Sequence, residues 1–341
     1  MKKHLIAAAV AAAVVAPAAM AQNVEMYGIL DAAYNSESVK TAAGIETTKS
    51  KISTAGELAT SRFGIRGTED LGGGLKAGFQ LEGAVGGGSF DFANRHQFLT
   101  LSGGFGTLLV GKTDSMYKSV FDAFDAGFSN NLVGAADGLV SSTLEGTDSK
   151  NPVGLRVTTA RYTTPSFSGL TASIGLSKDT TEVTNTADLE AESGEEYGLR
   201  YAAGNFAAAL AYRDVENGAG ATKRDDKSLG LGASYNFGVA TLFGQYFDHE
   251  NKVGATKTDE KIYAIGVRVP VGATTLFASI TNGETKVAGV KRDMEGYQIG
   301  AVYALSKRTS AYVIYGDQEV DKTATTKSTA DEFAIGIRHS F

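Results

Sequence analysis

Apolar residues in this chain recur at every second position, in segments of about ten, from residue 24 to the last residue. That period belongs to a strand with two unlike faces, because helical apolar positions return every three or four residues. In the final segment Phe333, Ile335, Ile337, His339 and Phe341 share one face, and Ala334, Gly336, Arg338 and Ser340 the other. Leu229, Leu231, Ala233, Tyr235 and Phe237 oppose Ser228, Gly230, Gly232 and Ser234 in the same way, and Tyr263, Ile265, Val267 and Val269 oppose Ala264, Gly266 and Arg268. The alternation predicts sixteen strands, near 24–35, 58–68, 75–84, 94–103, 106–113, 155–164, 169–178, 195–203, 205–215, 227–237, 239–249, 260–270, 273–283, 294–305, 308–318 and 331–341. About ten residues is the length with which a tilted strand crosses a hydrocarbon layer. A greasy face could pack a soluble core or face lipid; the links between strands separate the two.

Alternate links are short and turn-like, as in Glu69-Asp-Leu-Gly-Gly-Gly74, Ala203-Gly204 and Ser306-Lys307. The others, 36–57, 179–194, 216–226, 250–259, 284–293 and 319–330, read as longer polar loops. A soluble sandwich has no reason to alternate its link lengths, whereas a membrane barrel has short turns at one rim and long loops at the other. An even strand number lets the last strand close on the first, which removes the free sheet edges. The expected fold is therefore all-β, a sixteen-stranded antiparallel transmembrane barrel. With 42 glycines, 4 prolines and 31 phenylalanines and tyrosines, the composition fits curved strands rather than a disordered chain.

The N-terminus reads as an export signal. Met1-Lys2-Lys3-His4 is basic, Leu5 to Ala21 is apolar and alanine-rich, and Ala19-Met20-Ala21 is a small-x-small cleavage site. Residues 1–21 are thus expected to be removed, leaving 22–341 as the barrel and moving the net charge from −6 to −8. An acidic chain argues against nucleic acid as partner. With no cysteine there is no disulfide or thiolate metal site, and no Asp/Glu spacing supports a cation site, so no cofactor is expected.

Four stretches carry a family resemblance. Met26-Tyr-Gly-Ile-Leu-Asp31 resembles the opening "LYGxxD" strand of Gram-negative general porins of the neisserial and betaproteobacterial group. Ser61-Arg-Phe-Gly-Ile-Arg-Gly-Thr-Glu-Asp-Leu-Gly72 resembles its "SRFGfkGsEDLG", Tyr303-Ala-Leu-Ser-Lys-Arg-Thr309 its "YaLSKRT", and Arg338-His-Ser-Phe341 its terminal "RHxF". The resemblance implies a homotrimeric diffusion pore of the bacterial outer membrane, with its third external loop folded into the channel. It also implies contact with outer-membrane lipid and lipopolysaccharide, passage of ions and small hydrophilic solutes, and reading of the C-terminal strand, ending in Phe341, by the barrel-assembly machinery. Two departures stand out. Gly111-Lys112 replaces the family's "GR", and Arg156-Val-Thr-Thr-Ala-Arg-Tyr-Thr-Thr-Pro165 is one residue shorter than the matching family strand and lacks its Asn.

The longest break in the alternation, 114–154, is the expected constriction loop. Val120, Phe121, Phe124, Phe128, Leu132 and Val133 would anchor it to the inner wall, while Asp114, Asp122 and Asp125 would face the water. Opposite it, Arg62 and Arg95 are the expected wall cations, because a charge facing lipid at mid-bilayer costs about 2–4 kcal/mol. By alternation Arg95 and Gln97 oppose His96 and Phe98, and Arg66 suits the rim. Arg156 and Arg161 fall on opposite faces; if Tyr162 faces lipid, Arg161 faces the channel. The net charge suggests cation preference and the wall arginines anion preference, which leaves selectivity open. A substrate-specific channel for sugars or carboxylates shares the barrel and stays as the alternative. A barrel enzyme is disfavoured, since His96, His249 and His339 lack a triad setting. A soluble β protein is the third reading.

Overall fold

The computed structural model describes residues 23–86, 89–136, 156–180, 191–217, 223–323 and 326–341; the expected signal peptide, 1–21, lies outside them. Among the described residues, seventeen strand segments and one helix follow each other. They are β1 Asn23–Lys40, β2 Glu46–Ser53, β3 Arg62–Gly72, β4 Leu75–Gly86, β5 Ser89–Gly103, β6 Gly106–Asp114, α1 Met116–Phe124, β7 Arg156–Thr163 and β8 Leu170–Thr180. Then come β9 Ala191–Ala203, β10 Phe206–Asn217, β11 Arg224–Asn236, β12 Thr241–Val253, β13 Thr256–Val271, β14 Thr274–Val287, β15 Val290–Ala304, β16 Thr309–Thr323 and β17 Thr326–Ser340. Each pairs antiparallel with its neighbours, and β1 pairs with β17 from Ile29↔Ser340 to Lys40↔Thr329, so the sheet closes. The result is a sixteen-stranded antiparallel barrel.

Seventeen segments make sixteen staves because the second stave is broken. β1 pairs with β3 up to residue 29 and with β2 from residue 33 onward, and residues 54–61 leave the ladder between them. The expected single strand at 58–68 is thus corrected. Asp31 holds the segment that leaves the ladder. Its carboxylate accepts from the Ala59 backbone N–H (2.9 Å) and the Tyr312 hydroxyl (2.5 Å), and its backbone N–H donates to Ser61 Oγ (3.0 Å). Leu58, 1% exposed, is drawn inward onto Leu132 and Ile314.

The outward faces carry Leu199, Leu231, Tyr263, Ile265, Ile299, Ile335 and Ile337, all exposed, as a lipid-facing band requires. The terminal strand keeps the predicted faces: Phe333, Ile335, Ile337, His339 and Phe341 are exposed, and Ala334 is fully buried. Phe341 extends the seam by exchanging two backbone hydrogen bonds with Gly28, at 3.0 and 3.1 Å, and its ring lies where a Gly28 Cβ would be.

The long polar links are also corrected. β12 and β13 are joined at Gly254-Ala255, and β14 and β15 at Ala288-Gly289, so most of 250–259 and 284–293 is paired strand. Similarly, 36–57 contains the end of β1 and all of β2. Beyond the lipid band both faces of a strand are wet, and polar residues on both sides hide the alternation. Ion pairs such as Lys257–Glu250 (2.9 Å) and Lys291–Glu284 (3.2 Å) join the two strands of these protruding hairpins.

Candidate channel constriction

Between β6 and β7 the chain turns into the barrel. Ser115 starts α1 by accepting from the Lys118 backbone N–H through Oγ (3.0 Å). Apolar Met116, Tyr117, Val120, Phe121 and Phe124 form one face of the helix and pack on the inner wall with Phe247 and Ile262. The wall there is shaped to receive the loop. A Cβ on Gly232 would stand 2.2 Å from Phe124, and one on Gly316 would stand 2.0 Å from the Val133 carbonyl. Polar wall residues complete the seat. Gln245 donates to the Phe121 carbonyl (2.7 Å), Arg268 donates to the carbonyls of Asp125 and Ala126, and Gln298 donates to those of Leu132 and Val133. The Arg268 guanidinium also sits 3.8 Å from the Phe128 ring centroid. From the other side, segment 54–61 holds the loop through Asn131, which donates to Gly56 and Glu57 carbonyls. Residues 137–155, with the rest of the expected loop, lie outside the described residues.

Facing the loop across a cavity of about 530 Å³ stands a basic wall. Arg62, at the start of β3, donates from Nε to the Thr60 carbonyl (3.0 Å) and has no carboxylate partner among the described residues. Arg95 is buried, and its Nε lies 2.5 Å from Glu82, which also accepts from the Tyr27 hydroxyl (2.9 Å). His96 lies in the same cavity wall, within 3.7 Å of Asp114. Alternation put Arg95 and His96 on opposite faces; a register shift between Glu82 and Ala84 brings both inward, which corrects that expectation.

The expected site residues separate into two groups. Arg62, Arg95, Asp114 and Asp122 line the cavity together, with Lys118 and Arg156. Arg156 ion-pairs with Asp114 (2.9 Å), and Lys118 with Asp122 one helical turn on (2.6 Å). Arg161 and Asp125 do not line it. Arg161 lies against the far flank of α1, bonded to Glu196 (3.1 Å) and the Asp114 carbonyl (2.9 Å). Asp125 is turned into its own loop and accepts from the Ser129 N–H (2.6 Å); burial pushes its carboxyl above the usual range despite that bond. Both arginines of β7 are therefore interior, Arg156 at the cavity and Arg161 behind the helix.

Sequence reasoning missed the anchors beneath the helix. Glu196 accepts from the Met116 N–H (3.2 Å) and pairs with Arg161, and Arg213 bonds Asp226 (3.0 Å), which meets His249 (2.9 Å). These side chains, on β7 and β9 to β12, tie the wall together where α1 rests. Their signal was present, since Arg213 sits on the small-residue face of its strand, opposite Leu210 and Tyr212.

The barrel has known counterparts. Residues 7–323 match the Gram-negative porin family. The chain is 37% identical to outer membrane porin protein 32 of Delftia acidovorans over 253 residues, covering 72% of this chain and 68% of that one. It is 30% identical to major outer membrane protein P.IB of Neisseria lactamica over 217 residues, 62% and 58% of the two chains. Among solved structures, the anion-selective porin from Comamonas acidovorans superposes with a TM-score of 0.78 at 29% identity, over 94% of this chain and 100% of that one. This chain belongs to the Gram-negative porins, and its barrel is a general diffusion channel of the bacterial outer membrane, not an enzyme.

Proposed function

We propose that solutes are filtered between the basic wall and the inward loop, and that the filter favours anions. The charge balance around the cavity carries this reading. Arg62, Arg95, Arg156 and Lys118 supply four positive charges, while Glu82, Asp114 and Asp122 supply three negative ones, all engaged in ion pairs. The surplus cation is Arg62, whose hydrogen-bond partner is a carbonyl. An anion about 8 Å from a guanidinium gains about 2 kcal/mol at an effective dielectric of about 20, so one unpaired charge can set the preference. The related Comamonas acidovorans porin is described as anion-selective, which agrees. The same charges place a transverse field across the cavity, in which small polar solutes orient while apolar ones lose hydration.

Reversal potential across a salt gradient in a planar bilayer tests this. Parent channels pass anions preferentially, Arg62→Gln lowers the anion-to-cation permeability ratio several-fold, and Arg62→Glu inverts it. An unchanged ratio in both variants sinks the assignment.

Three barrels per channel unit belong to the same proposal. Among the described residues, the outward faces of β4, β5 and β6 present Leu81, Leu99, Leu101, Leu108 and Val110 with no tyrosine, whereas β9 to β15 expose Tyr197, Tyr201, Tyr235, Tyr263, Tyr297 and Tyr303. Tyrosines mark headgroup contact, so the aliphatic sector suits a neighbouring barrel and the tyrosine sector suits lipid and lipopolysaccharide. Three equal closing steps in the same recordings support the trimer.

A further inference from the structure

Helix α1 divides the lumen. On the flank away from Arg62 and Arg95 it leaves a second cavity of about 270 Å³, against β7 to β10. Val120, Ala123 and Phe124 give that cavity an apolar floor, and Arg161, Arg200 and Thr171 give it a polar wall. Thr171 follows the β7–β8 turn and Arg200 precedes the β9–β10 turn, so the niche sits toward the tight-turn rim.

Its charge is specific. Arg161 is matched by Glu196, although the Arg161 Nε is buried without a hydrogen-bond partner. Arg200 has no ion pair with any described residue, which leaves the niche with one uncompensated positive charge. An inorganic ion would leave the apolar floor wet, and a neutral apolar solute would leave Arg200 unmatched. The volume lies just under the range of about 300–1,000 Å³ that holds drug-sized ligands, which suits one ring and one carboxylate.

We propose that this niche binds a small aromatic monocarboxylate, its carboxylate between Arg200 and Arg161 and its ring on Ala123 and Phe124. An occupant here stands beside the path below the constriction and retards ion flow. The inference rests on the reading of the barrel as an open channel.

Single-channel current with benzoate as probe tests it, each variant normalised to its own open current. Benzoate added at the tight-turn side blocks saturably, while benzamide and inorganic phosphate at equal concentration do not. Ala123→Leu, which fills the floor and keeps the charge, raises the half-blocking concentration about tenfold or more, and Arg200→Gln, which removes a charge-assisted hydrogen bond, does likewise. Block that never saturates, that phosphate reproduces, or that survives Ala123→Leu overturns the niche. A parent protein that passes no current at all would instead overturn the channel reading, so the two failures are distinct.

Discussion

Asp31 is a buried carboxylate of β1 that is hydrogen-bonded to segment 54–61 and to Tyr312 of β16. It binds the segment that breaks the second stave, and that segment leads through Thr60 directly into Arg62, the cavity-wall cation at the start of β3. In Asp31→Asn an amide N–H₂ must face either the Ala59 N–H or the Tyr312 hydroxyl, and hydrogen bonds to a charged group are worth about 1.5–3 kcal/mol each. The expected result is a folded barrel with noisier current and a reduced anion preference, and Tyr312→Phe gives the same in weaker form. Quiet, fully selective Asp31→Asn channels would assign the residue to folding alone. At this scale the sequence was readable where the residue obeyed its strand's alternation, as with Arg62. Arg95 and His96 share the lumen because of a register shift that depends on β4 as much as β5, and one strand's pattern carries no trace of it. Asp125 has the right charge and loop, but its direction is set by Ser129 and the helix end.

For the loop, seat and occupant are cut to each other. Gly316 gives way to the Val133 carbonyl and Gly232 to the Phe124 ring. A side chain at Gly316 therefore displaces the loop rather than the wall, because the wall is held by its ladders to β15 and β17. Gly316→Val is expected to assemble, to conduct more per channel and to expose the loop to added protease; normal conductance with a protected loop would refute this. The apolar run of Val120, Phe121 and Phe124 announced a docked loop in the sequence, but the loop's seat includes glycines on strands as far apart as β11 and β16, which no local pattern links. Strand ends followed the same logic. β13 and β14 meet at Val271 and Thr274 close to the expected turn, yet their other ends, Thr256 and Val287, run four residues beyond the alternation, since nothing there distinguishes two wet faces.

Closure of the whole barrel depends on β1 and β17, residues about three hundred positions apart, meeting in register. Phe341 adds one exchanged pair of backbone hydrogen bonds with Gly28 and a ring over the glycine, next to a seam already paired from Ile29 to Lys40. Its share of the finished seam is thus small, because the ladder above it holds the edges together. During assembly the position differs: Phe341 lies on the edge that must find β1 before the sheet is closed, and an unpaired edge in a membrane is costly. Deletion of Phe341 is therefore expected to lower the fraction of protein that reaches the compact, heat-modifiable form, while the channels that do assemble keep the parent conductance and selectivity. Gly28→Leu should resemble the deletion, since a side chain there collides with the ring. Gel migration before and after heating measures the first effect and single-channel current the second. Full assembly yield after deletion would reduce Phe341 to a packing residue, and altered conductance would mean that the seam reaches the constriction through Asp31, only three residues from Gly28 on the same strand.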